Sequence, residues 1–587
     1  MSTISFAYMY ALVYLAALST AVSPPRVTME TDVAHTTHSS HWNPVGSTPS
    51  DVRLHFTAAL KVDSDAAAQL ESAFWAVSDP DHDEYGRHWS QEAVRKLLAP
   101  SARHKTVVDR FLAQHDAVNV EWEGELVEFV LAASDAETAF GTKFQTFRHN
   151  QTGHVLHRSP RGYSLPESIA NAISTIDGVL RLPHVRTATF VTSEHEDSTD
   201  ATDATDATDA TDATDDPFPT SASCGGKCTG RVTPAILTER YNLGPAPTAS
   251  TISTKSSMAV AEFQDQGWDQ ADCDKLSTAC QTQNITVNHQ LPAGQPSGGP
   301  STEALLDIQY IKALGGAIPL TNIYSQPYSL LDWAKVLSGM SHPPLVNSVS
   351  YGNDESQQSG IAYMESCNTQ FKALGLRGLS ILFASGDDGV CGRSGCGIFT
   401  TKFHPGFPAA SPYITSVGGT NFVTKSVIGE EIAWKASGGG FSNTFDIPDY
   451  QRDAVSGYQK KCSTITCPPF AAWNSTGRGF PDVSALGGEV NLYCVVEEGS
   501  FGGVDGTSAA TPVVAAVVAK LNDIRFQKGK SSLGFLNPFL YKNADSFNDV
   551  TKGCNNGGSK HGFLATEGWD PASGLGTPNF EALSKLM

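Results

Sequence analysis

The chain has 587 residues, of which 40% are hydrophobic and 17% are charged. Its 40 basic and 61 acidic side chains give a formal net charge of −21, which argues against nucleic acid or an anionic membrane as a partner. The length exceeds the roughly 100–200 residues of one domain, so we expect several domains. The acidic charge also suits a protein that works at low pH, although many secreted proteins are simply acidic.

The first predicted element is a signal peptide over residues 1–21. An apolar stretch covers residues 4–22 and contains the small residues Ser19-Thr20-Ala21, which are typical of a cleavage site. No later stretch is apolar and long enough to cross a bilayer, and no apolar C-terminal tail indicates a lipid anchor. We therefore expect a secreted, extracellular protein. The lumen of a lysosome or vacuole is the alternative, because both routes begin with the same signal.

A change of composition divides the rest of the chain. Residues 22–198 contain mixed strand and helix patterns, such as the alternation of apolar and polar residues at 52–57. A repeated Thr-Asp-Ala triplet then fills Thr199–Asp216, where dense negative charge and the lack of large apolar residues predict a disordered linker over 199–223. We expect maturation cleavage in this exposed linker.

Residues 224–587 form the second large block. Apolar strands at 258–263, 380–383 and 413–417 alternate with helical stretches, which predicts an α/β fold with a parallel sheet and helices on both faces. Ligands bind such sheets beyond the carboxyl ends of the strands. The turn Ser385-Gly386-Asp387-Asp388-Gly389 lies at such an end, where a protonated aspartate can donate a hydrogen bond to an oxyanion.

Two carboxylates before that turn have helical spacing. Glu303 and Asp307 occupy positions i and i+4, so both leave one face of a helix, roughly 5–6 Å apart at Cβ. Like charges this close raise at least one pKa. A shared proton then lets the pair act as a general base and its orienting partner, working best at acidic pH. The alternative is a surface helix that carries two solvated acids.

A serine follows at the start of a predicted buried helix. In Gly506-Thr507-Ser508-Ala509-Ala510, the hydroxyl precedes a small-residue run, so it lies at a helix N-terminus where backbone N–H groups favour a developing negative charge. The chain lacks His-Gly-Thr-His, the usual source of the histidine base in subtilisin-like serine peptidases, and the G-x-S-x-G motif of esterases. Ser508 therefore needs another base, and Glu303 is the candidate.

The cysteines and histidines are unevenly distributed. All 11 cysteines occur from Cys224 onward, which in a secretory protein predicts disulfides with one thiol left over. Zinc is disfavoured because no second ligand pair completes a set. Close spacing makes three small loops possible: Cys224–Cys228, Cys273–Cys280 and Cys462–Cys467.

Three sequons mark glycosylation acceptors: Asn150, Asn284 and Asn474.

Thirteen of the 17 histidines precede Pro217. Since histidine becomes cationic between neutral and mildly acidic pH, we hypothesise that acidification loosens the first block from the second. Joint replacement of His82, His88, His104 and His184 should then shift the pH of activation. The alternative is that several of these histidines have no role.

Taken in order, these motifs resemble those of the sedolisin family of serine-carboxyl peptidases, most closely its tripeptidyl-peptidase I branch. The resemblance runs from about residue 50 to the C-terminus and includes Tyr85-Gly86-Arg87-His88, Ser350-Tyr351-Gly352-Asn353, Ser437-Gly438-Gly439-Gly440 and Arg478-Gly479-Phe480-Pro481. It implies a subtilisin-like catalytic domain preceded by an α+β activation prodomain that acts as inhibitor and folding aid.

By the same resemblance, Ser508 is the nucleophile, Glu303 the general base, Asp307 its orienting partner and Asp387 the oxyanion stabiliser. The family commonly has serine where this chain has Asp388, which leaves open which of the two aspartates faces the oxyanion. The resemblance also favours a disulfide from Cys391 or Cys396 to Cys554.

The resemblance further implies one structural Ca²⁺ ion near the C-terminus. From spacing alone, Asp549 and Asp570 are interpreted as carboxylates that cap turns around a glycine-rich loop. The family pattern would add main-chain oxygens to these two carboxylates, which together suit a hard cation. The implied ligands are Asp549, Val550, Thr566, Gly568 and Asp570.

The family resemblance as a whole implies a monomeric, acid-acting serine-type peptidase made as a zymogen. It would release tripeptides from the free N-termini of peptides and proteins through an acyl-enzyme. An endopeptidase of the same family is the first alternative, because no motif identifies the wall that would close the non-primed side of the cleft. An inactive peptidase-like binding protein is the alternative from another class.

Overall fold

The computed structural model describes residues 25–31, 41–150, 152–183, 190–192, 218–296, 298–326, 328–396 and 402–587. The predicted signal peptide and the Thr-Asp-Ala tract lie outside the described residues, and both stay predictions. Within the described ranges, no helix is long and apolar enough to cross a membrane.

The residues up to 192 form an N-terminal domain. Its elements are β1 (Arg26–Glu30), β2 (Trp42–Ser47), β3 (Arg53–Leu60), α1 (Ser64–Ser78), α2 (Gln91–Leu98), α3 (Ala102–Gln114), β4 (Val118–Glu123), β5 (Leu126–Ala132), α4 (Ala133–Phe140), β6 (Gln145–His149), β7 (Val155–Arg158), β8 (Tyr163–Pro166), α5 (Glu167–Ala170), β9 (Ile173–Asp177) and β10 (Val191–Thr192). The antiparallel sheets have the orders β4-β5-β3-β9, β2-β6-β7 and β1-β8. Phe56 of β3 packs against Phe129 of β5 in the core of the largest sheet.

The residues from 218 onward form a C-terminal domain. Its elements are α6 (Pro234–Arg240), β11 (Met258–Phe263), α7 (Gln270–Cys280), β12 (His289–Leu291), α8 (Thr302–Gly315), β13 (Leu320–Ser325), α9 (Leu330–Gly339), β14 (Val346–Val349), β15 (Asn353–Asp354), α10 (Ile361–Leu376), β16 (Ser380–Ala384), β17 (Gly406–Phe407), β18 (Thr415–Phe422), β19 (Glu431–Ala433), β20 (Gly440–Asp446), α11 (Arg452–Lys461), β21 (Gly477–Phe480), β22 (Val483–Leu486), β23 (Tyr493–Glu497), β24 (Ser500–Val504), α12 (Thr507–Gln527), α13 (Asn537–Lys542), β25 (Phe547–Asn548), β26 (Thr577–Pro578) and α14 (Phe580–Ser584).

The central sheet confirms the predicted α/β class. Its strands lie in the order β12-β13-β11-β14-β16-β18-β19, with β22 also paired to β18, and every pair is parallel except β18 with β19. Helices α8 and α12 share one apolar cluster, whereas α9 and α10 share a second cluster. The strands are nearly all buried, as continuous apolar runs predict for a sheet covered on both faces.

The two domains are joined by an aromatic and a β-strand contact. Phe74 and Trp75 of α1 lie against Tyr413 and Phe535 of the C-terminal domain, with ring centroids 5.0–6.0 Å apart. Strand β10 pairs antiparallel with β24, and β24 leads directly to the helix that carries Ser508. The N-terminal domain therefore contacts the C-terminal domain through α1 and through the strand that leads to the predicted nucleophile.

Four disulfides are formed, and they correct two of the predicted small loops. Cys462–Cys467 is confirmed, but the other bonds are Cys224–Cys280, Cys228–Cys494 and Cys391–Cys396. The predictions of Cys224–Cys228, Cys273–Cys280 and a bond to Cys554 were wrong. Sequence spacing failed because tertiary contacts bring β23, with Cys494, beside the turn that holds Cys228. Three thiols stay free instead of one: Cys273, Cys367 and Cys554.

Candidate active site

The predicted carboxylate pair lies on a buried helix. Helix α8 is apolar on every side around Ala304, Leu305 and Ile308, so it packs inside the domain against α12 and β23. Glu303 is 2% exposed and Asp307 is fully buried. The alternative of a solvated surface pair is therefore excluded, and desolvation favours the neutral form of these carboxyl groups.

The predicted nucleophile lies at the first turn of α12. Gly506 precedes the helix with a φ of 141°, a conformation that favours glycine, and Ser508 is 1% exposed. The Ser508 hydroxyl is 3.5 Å from the backbone oxygen of Ser350, the residue that follows β14. Ser508 thus lies at the carboxyl end of the central sheet, as expected for a site in an open α/β fold.

Asp387 contacts the residue beside the nucleophile. The Asp387 Oδ1 atom accepts hydrogen bonds from the Thr507 backbone nitrogen at 2.6 Å and from the Thr507 hydroxyl at 2.7 Å. The Thr507 hydroxyl in turn accepts from the backbone nitrogen of Gly386 at 3.1 Å. Asp388 instead begins the short turn Gly389–Cys391. Of the two aspartates, Asp387 is the one whose carboxylate is fixed beside Ser508.

Two further buried groups belong to this site and were missed by the sequence analysis. Glu262 of β11 is fully buried, and its Oε2 accepts a hydrogen bond from the Tyr351 hydroxyl at 3.0 Å. Burial, followed by the charges of Glu262, Glu303 and Asp307, raises the pKa of Tyr351 well above its usual value. Glu262 therefore contacts Tyr351 directly, and Glu303 and Asp307 lie near enough for their charges to act on it. The available signal was Glu262 itself, a charged residue inside an apolar strand.

A fifth acid, Asp505, precedes the nucleophile by three residues. Burial, together with the charges of Asp387 and Glu489, raises the pKa of Asp505 to about 6. Of the histidines of the C-terminal domain, His289 lies in β12 and His342 follows α9, whereas His561 lines a cavity with Asp387 and His404 lines one with Tyr351. The site nevertheless contains five carboxyl groups. Such a set can hold and transfer protons at acidic pH without an imidazole.

The implied calcium ligands lie together at the C-terminus and fit a hard cation. Asp570 is fully buried, and burial raises the pKa of its carboxyl to about 7. Asp549 reaches the same loop, where its Oδ2 accepts from the Gly568 backbone nitrogen at 2.7 Å. The Lys461 ammonium already donates to the Glu567 carbonyl of this loop, so the loop attracts positive charge. Two carboxylates held at one loop are oxygen ligands of the kind that Ca²⁺ prefers.

Comparisons with known proteins match both domains of the chain to known families. Residues 40–182 match the family described as "Pro-kumamolisin, activation domain", and residues 323–543 match the "Subtilase family". The chain is 33% identical to tripeptidyl-peptidase 1 of Mus musculus over 571 residues and 33% identical to that of Homo sapiens over 568 residues. Each match covers 93% of both chains.

Solved structures give weaker matches. The structure titled "Pseudomonas sedolisin (serine-carboxyl proteinase) complexed with two molecules of pseudo-iodotyrostatin" matches with 24% identity and a TM-score of 0.49, covering 60% of this chain and 97% of that one. Fervidolysin from Fervidobacterium pennivorans matches with 12% identity and a TM-score of 0.43, covering 92% of this chain and 62% of that one. Because the sequence match to tripeptidyl-peptidase 1 covers 93% of the chain at 33% identity, the chain is a serine-type peptidase that belongs to the sedolisin family of serine-carboxyl peptidases.

Proposed function

We propose that this protein is an acid-acting exopeptidase that removes tripeptides from free N-termini and is held inactive by its N-terminal domain. The chemistry is supported by two observations. Glu303 and Asp307 are buried, and their charges act on Tyr351, the neighbour of Ser350, whose carbonyl is 3.5 Å from the Ser508 hydroxyl. Asp387 accepts two hydrogen bonds from Thr507. The tripeptide specificity rests on the likeness to tripeptidyl-peptidase 1 and is a proposal for this chain.

In the proposed reaction, the Ser508 oxygen forms a bond to the scissile carbonyl carbon while Glu303 takes the hydroxyl proton. Asp307 orients Glu303 and shares that proton. Asp387, in its protonated form, donates a hydrogen bond to the oxyanion of the tetrahedral intermediate. The carbon–nitrogen bond then breaks, and the leaving amine takes the proton from Glu303. Water attacks the resulting ester through the same base, which releases the tripeptide and restores Ser508.

The buried pair sets the expected pH range. A base works best near its own pKa, and desolvation together with mutual repulsion raises the pKa of a buried carboxyl pair above that of a solvated acid. This requirement favours mildly acidic conditions, in agreement with an extracellular acidic medium or the lumen of a lysosome or vacuole.

We also propose one structural Ca²⁺ ion held by Asp549, Asp570 and the main-chain oxygens of Val550, Thr566 and Gly568. The ion would tie the C-terminal loop to the body of the domain and take no part in the reaction.

Two of the predicted glycosylation sites, Asn150 and Asn284, are exposed. The side chain of Asn474 instead donates to the Ser442 carbonyl at 3.0 Å, so we expect glycans at the first two.

The function is tested with acid-activated protein at about pH 4, a value near the pKa range of carboxyl groups. Two peptides of the same sequence, one with a free and one with an acetylated N-terminus, are incubated with the enzyme, and products are identified by mass. Tripeptide release from the free peptide alone supports the proposal, with Ser508→Ala as the inactive control. Internal cleavage of both peptides would indicate an endopeptidase, and cleavage of neither, once the N-terminal domain is removed, a binding protein.

A further inference from the structure

A guanidinium from the N-terminal domain is buried inside the C-terminal domain. Arg181 is 3% exposed, and its NH2 donates to the backbone oxygen of Tyr328 at 2.6 Å. The same guanidinium lies 4.9 Å from the ring centroid of Tyr328 and 4.7 Å from that of Tyr363. Two aromatic faces and a carbonyl oxygen around one cation form an aromatic cage. We use this name, the cage, for the two rings and the Tyr328 carbonyl.

The cage lies close to the nucleophile. The ring of Tyr328 stacks on that of Tyr351 with centroids 6.0 Å apart. Tyr351 directly follows Ser350, whose carbonyl is 3.5 Å from the Ser508 hydroxyl. Only Tyr351 therefore separates the cage from the segment that touches the reacting serine. An extended tripeptide spans roughly 10 Å, so the N-terminus of a substrate lies about that far from the scissile bond.

Every group of the cage stays with the C-terminal domain when the N-terminal domain leaves. Arg181 belongs to the N-terminal domain and leaves with it. So does Asp177, whose Oδ2 atom is 3.3 Å from the NH2 atom of Arg181. The cage loses its cation but keeps both rings and the carbonyl. The Tyr328 hydroxyl is also buried and has no hydrogen-bond partner among the described residues. A desolvated cage of this kind favours another cation in place of the guanidinium.

A carboxylate of the C-terminal domain borders the same space. Asp332, Asp177 and Tyr328 line one cavity of about 480 Å³ between the two domains. In the zymogen, Asp332 contacts Thr57 and His55 of the N-terminal domain, the latter at 3.7 Å. Both contacts are lost when that domain is released. The mature enzyme would then present an aromatic cage with a carboxylate nearby, which suits a peptide-borne ammonium group.

We propose that the cage is a cation-binding subsite of the mature enzyme, filled by Arg181 in the zymogen and by the α-ammonium group of the substrate after maturation. This inference rests on the proposed exopeptidase function and gives it a physical basis. A free N-terminus is a cation that every such substrate carries, whereas a blocked N-terminus presents none. The cage would thus select free N-termini, and Arg181 would imitate the substrate's charge.

The first test needs no peptidase activity. In the Ser508→Ala chain, a double-mutant cycle combines Arg181→Met, which keeps the length of the side chain, with Tyr363→Leu, and thermal unfolding is followed. We expect the two effects to be coupled, because either change alone removes the cation–ring contact. Arg181→Lys keeps the charge and is the matched control. Additive effects would overturn the assignment of a cation cage.

The second test uses the mature enzyme and the matched free and acetylated peptides, each with lysine or norleucine as the first residue. We expect Tyr363→Leu to raise KM for free peptides about tenfold with kcat within about twofold, and Tyr363→Phe to match the wild type. An unchanged KM, or an increase confined to the lysine peptides, would overturn the α-ammonium assignment. If the cycle shows coupling but the wild type cleaves free and acetylated peptides equally, the exopeptidase function fails, and the cage is a contact of the zymogen only.

Discussion

The carboxylate of Asp387 is fixed by both polar groups of Thr507, the residue that immediately precedes Ser508. Its Oδ1 atom accepts both hydrogen bonds. This arrangement holds the carboxyl group at the start of α12, where the helix dipole favours negative charge. Asp388 instead begins the turn Gly389–Cys391, and the role of Asp387 as oxyanion stabiliser stays a proposal.

We expect Asp387→Ala to lower kcat by about 10²–10³-fold, the usual effect of removing one oxyanion donor. An amide has the shape and the donor of a protonated carboxyl group, so Asp387→Asn should retain more activity than the alanine variant. Steady-state rates of the wild type and the two variants measure both effects. Asp388→Asn is the matched control, and a loss there as large as in Asp387→Ala would contradict the assignment.

We expect Glu262 to raise the pKa of the proposed general base, Glu303. Its charge lies near Glu303 and Asp307 around the Tyr351 hydroxyl, and a like charge raises the pKa of its neighbours. Glu262→Gln removes that charge but keeps an acceptor for Tyr351. Because Glu303 acts in its ionised form, a lower pKa of the pair should move the acidic limb of the kcat/KM profile to lower pH.

The measurement is the pH dependence of kcat/KM for the wild type and for Glu262→Gln. Tyr351→Phe, which removes the hydroxyl and leaves the Glu262 charge in place, serves as the comparison. An acidic limb that stays in place, or moves upward, in Glu262→Gln would show that Glu262 does not act on the pair.

Local patterns predicted much of this site. The i, i+4 spacing of Glu303 and Asp307 does place both on one helix, and the small-residue run after Ser508 does form a buried helix. The apolar strands 258–263 and 380–383 were correct to within one residue. These features depend on periodicity within a short segment, which is the information that a single sequence carries best.

Contacts between distant segments could not be predicted in the same way. Glu262 meets Tyr351 only because β11 and β14 are neighbours in the sheet, and Cys228 meets Cys494 across 266 residues. Spacing does not determine disulfide connectivity, because many pairings are compatible with the same cysteines. Arg181 was not singled out either, because its tyrosine partners lie about 150–180 residues farther along the chain.

His88 should contribute to pH-dependent release of the N-terminal domain. Its ring lies between Gly378 and Gly534 of the C-terminal domain, and its Nε2 is 3.1 Å from the Ser532 carbonyl. Burial, with a smaller contribution from the charge of Arg525, lowers the pKa of His88. The docked state therefore favours the neutral ring and loses stability as pH falls below the ordinary histidine value of about 6.5.

His88→Gln cannot become cationic, so we expect the onset of self-cleavage to move to lower pH. Of the four histidines chosen from the sequence, His82 is exposed and His184 lies outside the described residues. His82→Gln is therefore the control that should leave the onset unchanged. The measurement is the appearance of the mature form on gels after incubation across a pH series. An unaltered onset in His88→Gln would remove this residue from the activation mechanism.

Calcium should stabilise the C-terminal domain through the loop that holds Asp549 and Asp570. A ligand present at a hundredfold excess over its Kd stabilises the folded state by about 2.7 kcal/mol, so chelation should lower Tm by roughly 3–4 °C in a domain of this size. Asp570→Asn removes one anionic ligand and should abolish the response of Tm to chelator. Asp545→Asn, an exposed site nearby, should keep it. A wild-type Tm that ignores both added Ca²⁺ and chelator would show that the loop is held by its own hydrogen bonds alone.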